Sequence, residues 1–116
     1  MKGKLTDKIR IQHIFDAISE VGAYVKGATF GTFLANSEKR FATIKQIEIV
    51  GEACNKLSTE LKHKRPEIEW AEINGFRNIS VHEYFGVNLH LVSEIANNDL
   101  PVLKEKFNKV FKELGD

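Results

Sequence analysis

Apolar residues recur at helical spacing along most of the chain. Ile11, Phe15, Ile18, Gly22 and Val25 step by four, three, four and three, and Ile14 and Val21 widen the stripe. This predicts a first helix that starts near Thr6 or Asp7, either of which can cap the free amides of a first turn. Gly27 to Ser37 mixes Gly, Thr, Phe and Asn and reads as a loop that tucks Phe30 and Phe33 against the rest. A second long helix is predicted from Asn36 or Ser37 to about Arg65. Its seam of Ile47, Val50, Cys54, Leu57 and Leu61 steps by three, four, three and four, and Phe41 and Ile44 extend it. Pro66 stops that helix, because proline disfavours helical geometry in the residue before it.

A third helix is predicted to begin around Glu69-Trp70, with Glu67, Glu69 and Glu72 near its positive end and Trp70, Ile73 and Phe76 or Arg77 on successive turns. Gly75 weakens it and reads as a place where another backbone comes close. Asn88 caps a short fourth helix through about Asn97, carrying Leu91, Val92 and Ile95. Asp99-Leu100-Pro101 restarts the chain, and Leu103, Phe107, Val110, Phe111 and Leu114 mark one side of a fifth helix. No strand pattern and no internal repeat appears. The expectation is an all-α, up-and-down bundle of about five helices, one domain over residues 1–116.

Charge and cysteine usage narrow the function classes only a little. The net charge of +1 gives no general attraction to nucleic acid, but the distribution is uneven. Residues 1–65 hold 12 Lys/Arg against 7 Asp/Glu, and residues 66–116 hold 5 against 9, so the first half can present a shallow positive face. Lys62-His63-Lys64-Arg65 sits where cations complement the end of the second predicted helix, and contact with RNA phosphates is the alternative. Cys54 is the only cysteine and lies on an apolar seam, so it reads as packing rather than as a nucleophile. A reducing cytoplasm fits. The basic start Met1-Lys2-Gly3-Lys4 has no apolar run behind it, so no signal peptide is expected, and no window approaches a membrane span. His13 reads as a surface residue. His13, His63, His82 and His90 form no pair at the spacing used by zinc helices, and no glycine-rich phosphate loop occurs, so no metal and no cofactor is expected.

One stretch gathers the groups needed to hold a phosphate and move a proton beside it. Gly75 to Asn88 contains Arg77, Asn78, His82 and Tyr84 within eight residues. Arginine offers a planar fork of donors that keeps its charge, and histidine exchanges a proton near neutrality. On a continuous helix Asn78 and His82 share a face, whereas Arg77 and His82 diverge by about 140°. Either the helix loosens after Ile79, or the two groups meet across a two-fold axis from separate copies. Gly86 favours an ending soon after Tyr84.

The flanks of this stretch carry a resemblance. Ile49-Val50-Gly51-Glu52-Ala53 leading into Lys56-Leu57-Ser58, then Pro66-Glu67-Ile68-Glu69-Trp70, Ile73-Asn74-Gly75-Phe76-Arg77-Asn78 and His82-Glu83-Tyr84 resemble the HepT-like branch of the HEPN superfamily. Leu100-Pro101 and Leu103 continue it. Its motif is Arg, four to six residues, His, and this branch adds one further residue and Tyr; Arg77, His82 and Tyr84 match. The resemblance implies a helical bundle that dimerises so that two motifs line a common cleft. It implies a metal-independent endoribonuclease toxin, with Arg77, His82 and Asn78 as catalytic residues and RNA as substrate. It further implies that Tyr84 accepts AMP from a partner, a minimal nucleotidyltransferase antitoxin. Two other readings remain: a non-catalytic subunit that presents substrate or nucleotide to a nucleotidyltransferase, and a plain helical dimerisation module.

Overall fold

The computed structural model describes residues 2–79 and 88–115. Their secondary structure is helical, with no strand among them. Helix α1 spans Lys2–Val25, α2 Phe30–Ala35, α3 Ser37–Asn55, α4 Thr59–Lys64, α5 Trp70–Gly75, α6 Leu89–Glu94 and α7 Leu100–Leu114. A 3-10 turn, Phe76–Asn78, follows α5, and a π turn, Ile95–Asp99, joins α6 to α7. No described helix is long and apolar enough to cross a membrane.

The longest packed pair is α1 against α3, and α7 lies along α1. Ile11, Ile14 and Val21 of α1 meet Ile44, Ile47 and Val50 of α3 in one core, all fully buried, and α7 adds Leu103, Phe107 and Val110. Burying side chains of this size gives about 1.5–3 kcal/mol each before the entropy of ordering them is subtracted. The predicted stripe on α1 is displaced. Ile14 and Val21, read as its margin, lie at its centre, and Gly22 is exposed. His13 is exposed and Cys54 is buried, as expected.

Four boundaries differ from the sequence expectation, each for a local reason. Helix α1 begins at Lys2, so Asp7 lies inside it and holds the capping residue of a different helix. The Asp7 carboxylate, 4% exposed, accepts the Ser58 backbone N–H at 2.9 Å and the Ser58 hydroxyl at 2.6 Å, while Ser58 caps Leu61 at the start of α4. That cap splits the predicted second long helix into α3 and α4. The expected loop at Gly27 to Ser37 contains α2, started by a reciprocal Thr29–Thr32 capping box after Gly27 turns the chain at φ +72°. The fourth and fifth predicted helices run on through the π turn instead of being separated. There Asn97 donates to the Ser93 carbonyl at 2.9 Å, competing for an acceptor of the regular ladder, and Asp99 makes no side-chain cap.

The contact that sets the site is a close approach of α3 to the 3-10 turn. A Cβ built on Gly51 would lie 2.8 Å from the Arg77 backbone nitrogen and 3.0 Å from the Phe76 Cβ. Only a glycine admits this packing without displacing backbone. The close approach expected at Gly75 is not found among the described residues, where an added Cβ meets nothing within 4 Å.

Gly51→Ala is therefore expected to lose about 1–3 kcal/mol by overpacking, although alanine is the better helix former by about 1 kcal/mol. Gly22→Ala, in mid-α1 where an added Cβ has open space, is expected to leave stability unchanged or raise it. Chemical denaturation of the two variants checks this. A gain for Gly51→Ala would show that the contact is slack.

Candidate active site around Arg77

Phe76 and Arg77 are neighbours in one turn and take opposite roles. Phe76 is 8% exposed and anchors the turn in the core; Arg77 and Asn78 are exposed. The turn ends at Ile79, whose backbone is extended at φ −86° and ψ 92°. The regular helix thus ends at Gly75 and the 3-10 turn at Asn78, earlier than the loosening expected after Ile79. His82, Tyr84 and the ending expected at Gly86 lie outside the described residues.

The Arg77 guanidinium is held from two helices. Its Nε donates to Glu52 Oε1 of α3 at 2.9 Å, and its Nη1 donates to Asn74 Oδ1 of α5 at 3.3 Å. Glu52 is adjacent to Gly51, so the residue that admits the turn and the residue that holds its arginine come from one dipeptide. A guanidinium has five N–H donors in a fixed plane. Two are engaged by Glu52 and Asn74, and among the described residues the Nη2 edge faces no recorded acceptor. That edge is what a phosphate oxygen requires.

The electrostatics match. The hydrogen bond from Arg77 holds the Glu52 carboxyl below its usual range, and the charges of Arg77, Lys56 and Lys45 add to this against a desolvation that raises it. A depressed carboxyl stays ionised as pH falls until that lowered value is passed, so Glu52 is an anion throughout the neutral range. Both partners are about two-fifths exposed, so the pair contributes little stability and its consequence is orientation.

Other candidate groups sit elsewhere. Burial pushes the Cys54 thiol up to about 12, which leaves almost no thiolate at neutral pH. His90 is stacked on Phe30, ring centroids 4.1 Å apart. Among the described residues no group of three or more His, Cys, Asp or Glu gathers to hold a metal ion. Sequence reasoning assigned no role to Glu52 or Asn74. Both lie within the segments that carried the resemblance, but the pairing joins residues 25 positions apart, and no local spacing reveals it.

Known proteins place the chain in context. The family model described as Ribonuclease HepT-like matches residues 14–110. A "Probable ribonuclease HepT" of Thermococcus cleftensis is 33% identical over 94% of this chain and 99% of its own length. A "Gamma-glutamylcyclotransferase and putative RNase" of Methanocaldococcus jannaschii is 37% identical over 92% of this chain, which spans about half, 48%, of that relative. A "Putative RNase" of the same organism is 31% identical over 85% of this chain and 91% of its own. No solved structure matches. The matched span contains Gly51, Glu52, Asn74 and Arg77, and this chain belongs to the HepT-like ribonuclease family.

Proposed function

We propose that the chain is a metal-independent endoribonuclease, and that it acts as the toxin of a toxin–antitoxin pair. The observation that carries the reading is the exposed Arg77 residue, whose guanidinium is held by Glu52 and Asn74, in a chain of this family. The reaction is attack of a ribose 2′-hydroxyl on the adjacent phosphate, leaving a cyclic phosphate and a free 5′-hydroxyl. His82 moves the proton. Arg77 neutralises charge that builds on the phosphorane, a stabilisation that needs donors already in place. Asn78, beside Arg77 in the turn, binds phosphate or orients the His82 ring.

Two copies are proposed to bring their motifs to a common cleft. Leu5 and Ile9, four residues apart on α1 and 63% and 49% exposed, offer one apolar patch that such an assembly can cover. Regulation is proposed to run through Tyr84, as acceptor of AMP from a minimal nucleotidyltransferase antitoxin. The added phosphate places negative charge beside an anion site and competes with RNA for Arg77.

Purified protein is expected to cleave single-stranded RNA in the presence of chelator, giving cyclic phosphate ends. His82→Ala and Arg77→Ala are each expected to lower the rate by roughly 10²- to 10⁴-fold while the helical spectrum persists. Arg77→Lys is not expected to restore it, because a point charge lacks the planar fork. Absence of cleavage by the wild-type protein, with expression as harmless as that of His82→Ala, removes the ribonuclease reading and leaves that of a binding subunit.

A second outcome concerns the switch. Incubation with a minimal nucleotidyltransferase and ATP is expected to add adenylyl mass to the peptide containing Tyr84, and not to Tyr84→Phe. Equal modification of that variant means the acceptor is another residue.

A further inference from the structure

We infer that the cleft beside Arg77, between the end of α3 and α5, is a subsite for the nucleotide next to the phosphate held at Arg77. The ligand class, single-stranded RNA, rests on the ribonuclease reading above. The cleft has a volume of about 200 Å³ and is lined by Cys54, Asn55, Lys62, Trp70, Ala71 and Asn74. Asn74 belongs to both places: its carbonyl oxygen accepts from Arg77, and the residue forms one wall of the cleft.

The two walls continue from the arginine in register. Asn55 stands three residues after Glu52 on α3, and Trp70 stands four residues before Asn74 on α5. Each displacement is about one helical turn, roughly 5 Å along the axis. A chain whose phosphate lies on Arg77 therefore has its neighbouring nucleotide over Asn55, Asn74 and Trp70. The carboxamides supply donors and acceptors for a base edge. Trp70 gives a fixed apolar wall, because its Nε1 donates to the Arg65 carbonyl at 2.9 Å and its ring meets Phe107 edge-on at 5.9 Å. Single-stranded RNA is recognised by this combination of splayed base edges, flat side chains and cations along the backbone.

Lys62 supplies the cation at the far end. Its ammonium donates one hydrogen to the Asn55 carbonyl at 2.9 Å, which leaves two for a phosphate. Lys62, Trp70 and Ala71 also line a second, open cleft that reaches His63 and Pro66, so the chain has a way out past the basic run. Glu69 and Glu72 line that outer cleft as well, which directs the phosphates to the α4 side, where Lys62 and His63 stand.

The test is binding of a fluorescent single-stranded oligoribonucleotide, by anisotropy over a range of salt, in a His82→Ala background that prevents turnover. Lys62→Gln removes the charge yet can still donate to the Asn55 carbonyl. It is expected to weaken binding and to reduce the magnitude of the slope of log K against log salt by about 0.7, the value of one phosphate contact on a single strand. Lys62→Arg is expected to restore the slope. Asn55→Ala is expected to weaken binding with the slope unchanged. An unchanged slope and affinity for Lys62→Gln, with melting temperature preserved, overturns the subsite even where wild-type protein cleaves RNA. A changed slope supports the subsite even where wild-type protein cleaves none, and then only the ribonuclease reading falls.

Discussion

The site depends on a steric constraint: the absence of a side chain at residue 51. Helix α3 can lie against the Phe76–Arg77 backbone only because nothing projects from Gly51 into that contact, where a Cβ would sit 2.8 Å from a backbone nitrogen. This places Glu52 within reach of a guanidinium that arrives from another part of the chain. The buried Phe76 ring fixes the turn from below, and Glu52 and Asn74 fix the arginine from the sides. Packing and polar contacts thus divide the task. The core decides where the turn sits, and two side-chain acceptors decide which donors of the guanidinium are engaged.

Such an arrangement suits catalysis better than it suits stability. An ion pair that is largely solvated adds little to the folded state. Under the proposed reaction, a guanidinium that is already oriented needs no reorganisation when charge develops on a phosphate. The depressed Glu52 carboxyl follows from the same contact, so the orienting anion is present wherever the protein is near neutral pH.

The helical class and the core seam were legible in the sequence because they rest on periodicity and on residue type. Ile47, Val50, Cys54, Leu57 and Leu61 are all buried as read, yet their even spacing concealed the break at Ser58. A seam stays in phase across a single-turn interruption, and the capping residue Ser58 is held by Asp7, 51 residues away. The segment from Gly27 to Ser37 reads as a loop because the six residues of α2 leave too short a pattern to detect. Gly75 reads as the point of close approach because a glycine inside a predicted helix costs stability. Gly51 holds that place, since only the tertiary arrangement tells a helical glycine that meets a backbone from one that meets solvent. Tyr84 and His82 were singled out from the motif, and they lie outside the described residues.

The central claim is that Glu52 acts through Arg77, and a double-mutant cycle on RNA cleavage tests it most directly. Glu52→Gln is measured in the wild-type and in the Arg77→Ala backgrounds, at saturating RNA and at fixed pH and salt. If Glu52 serves to hold the guanidinium, its loss slows cleavage by roughly 10- to 100-fold when Arg77 is present, as a misplaced catalytic group does. In the Arg77→Ala background the same substitution then changes almost nothing. An equal loss in both backgrounds would mean that Glu52 contributes independently of Arg77, and would contradict the account.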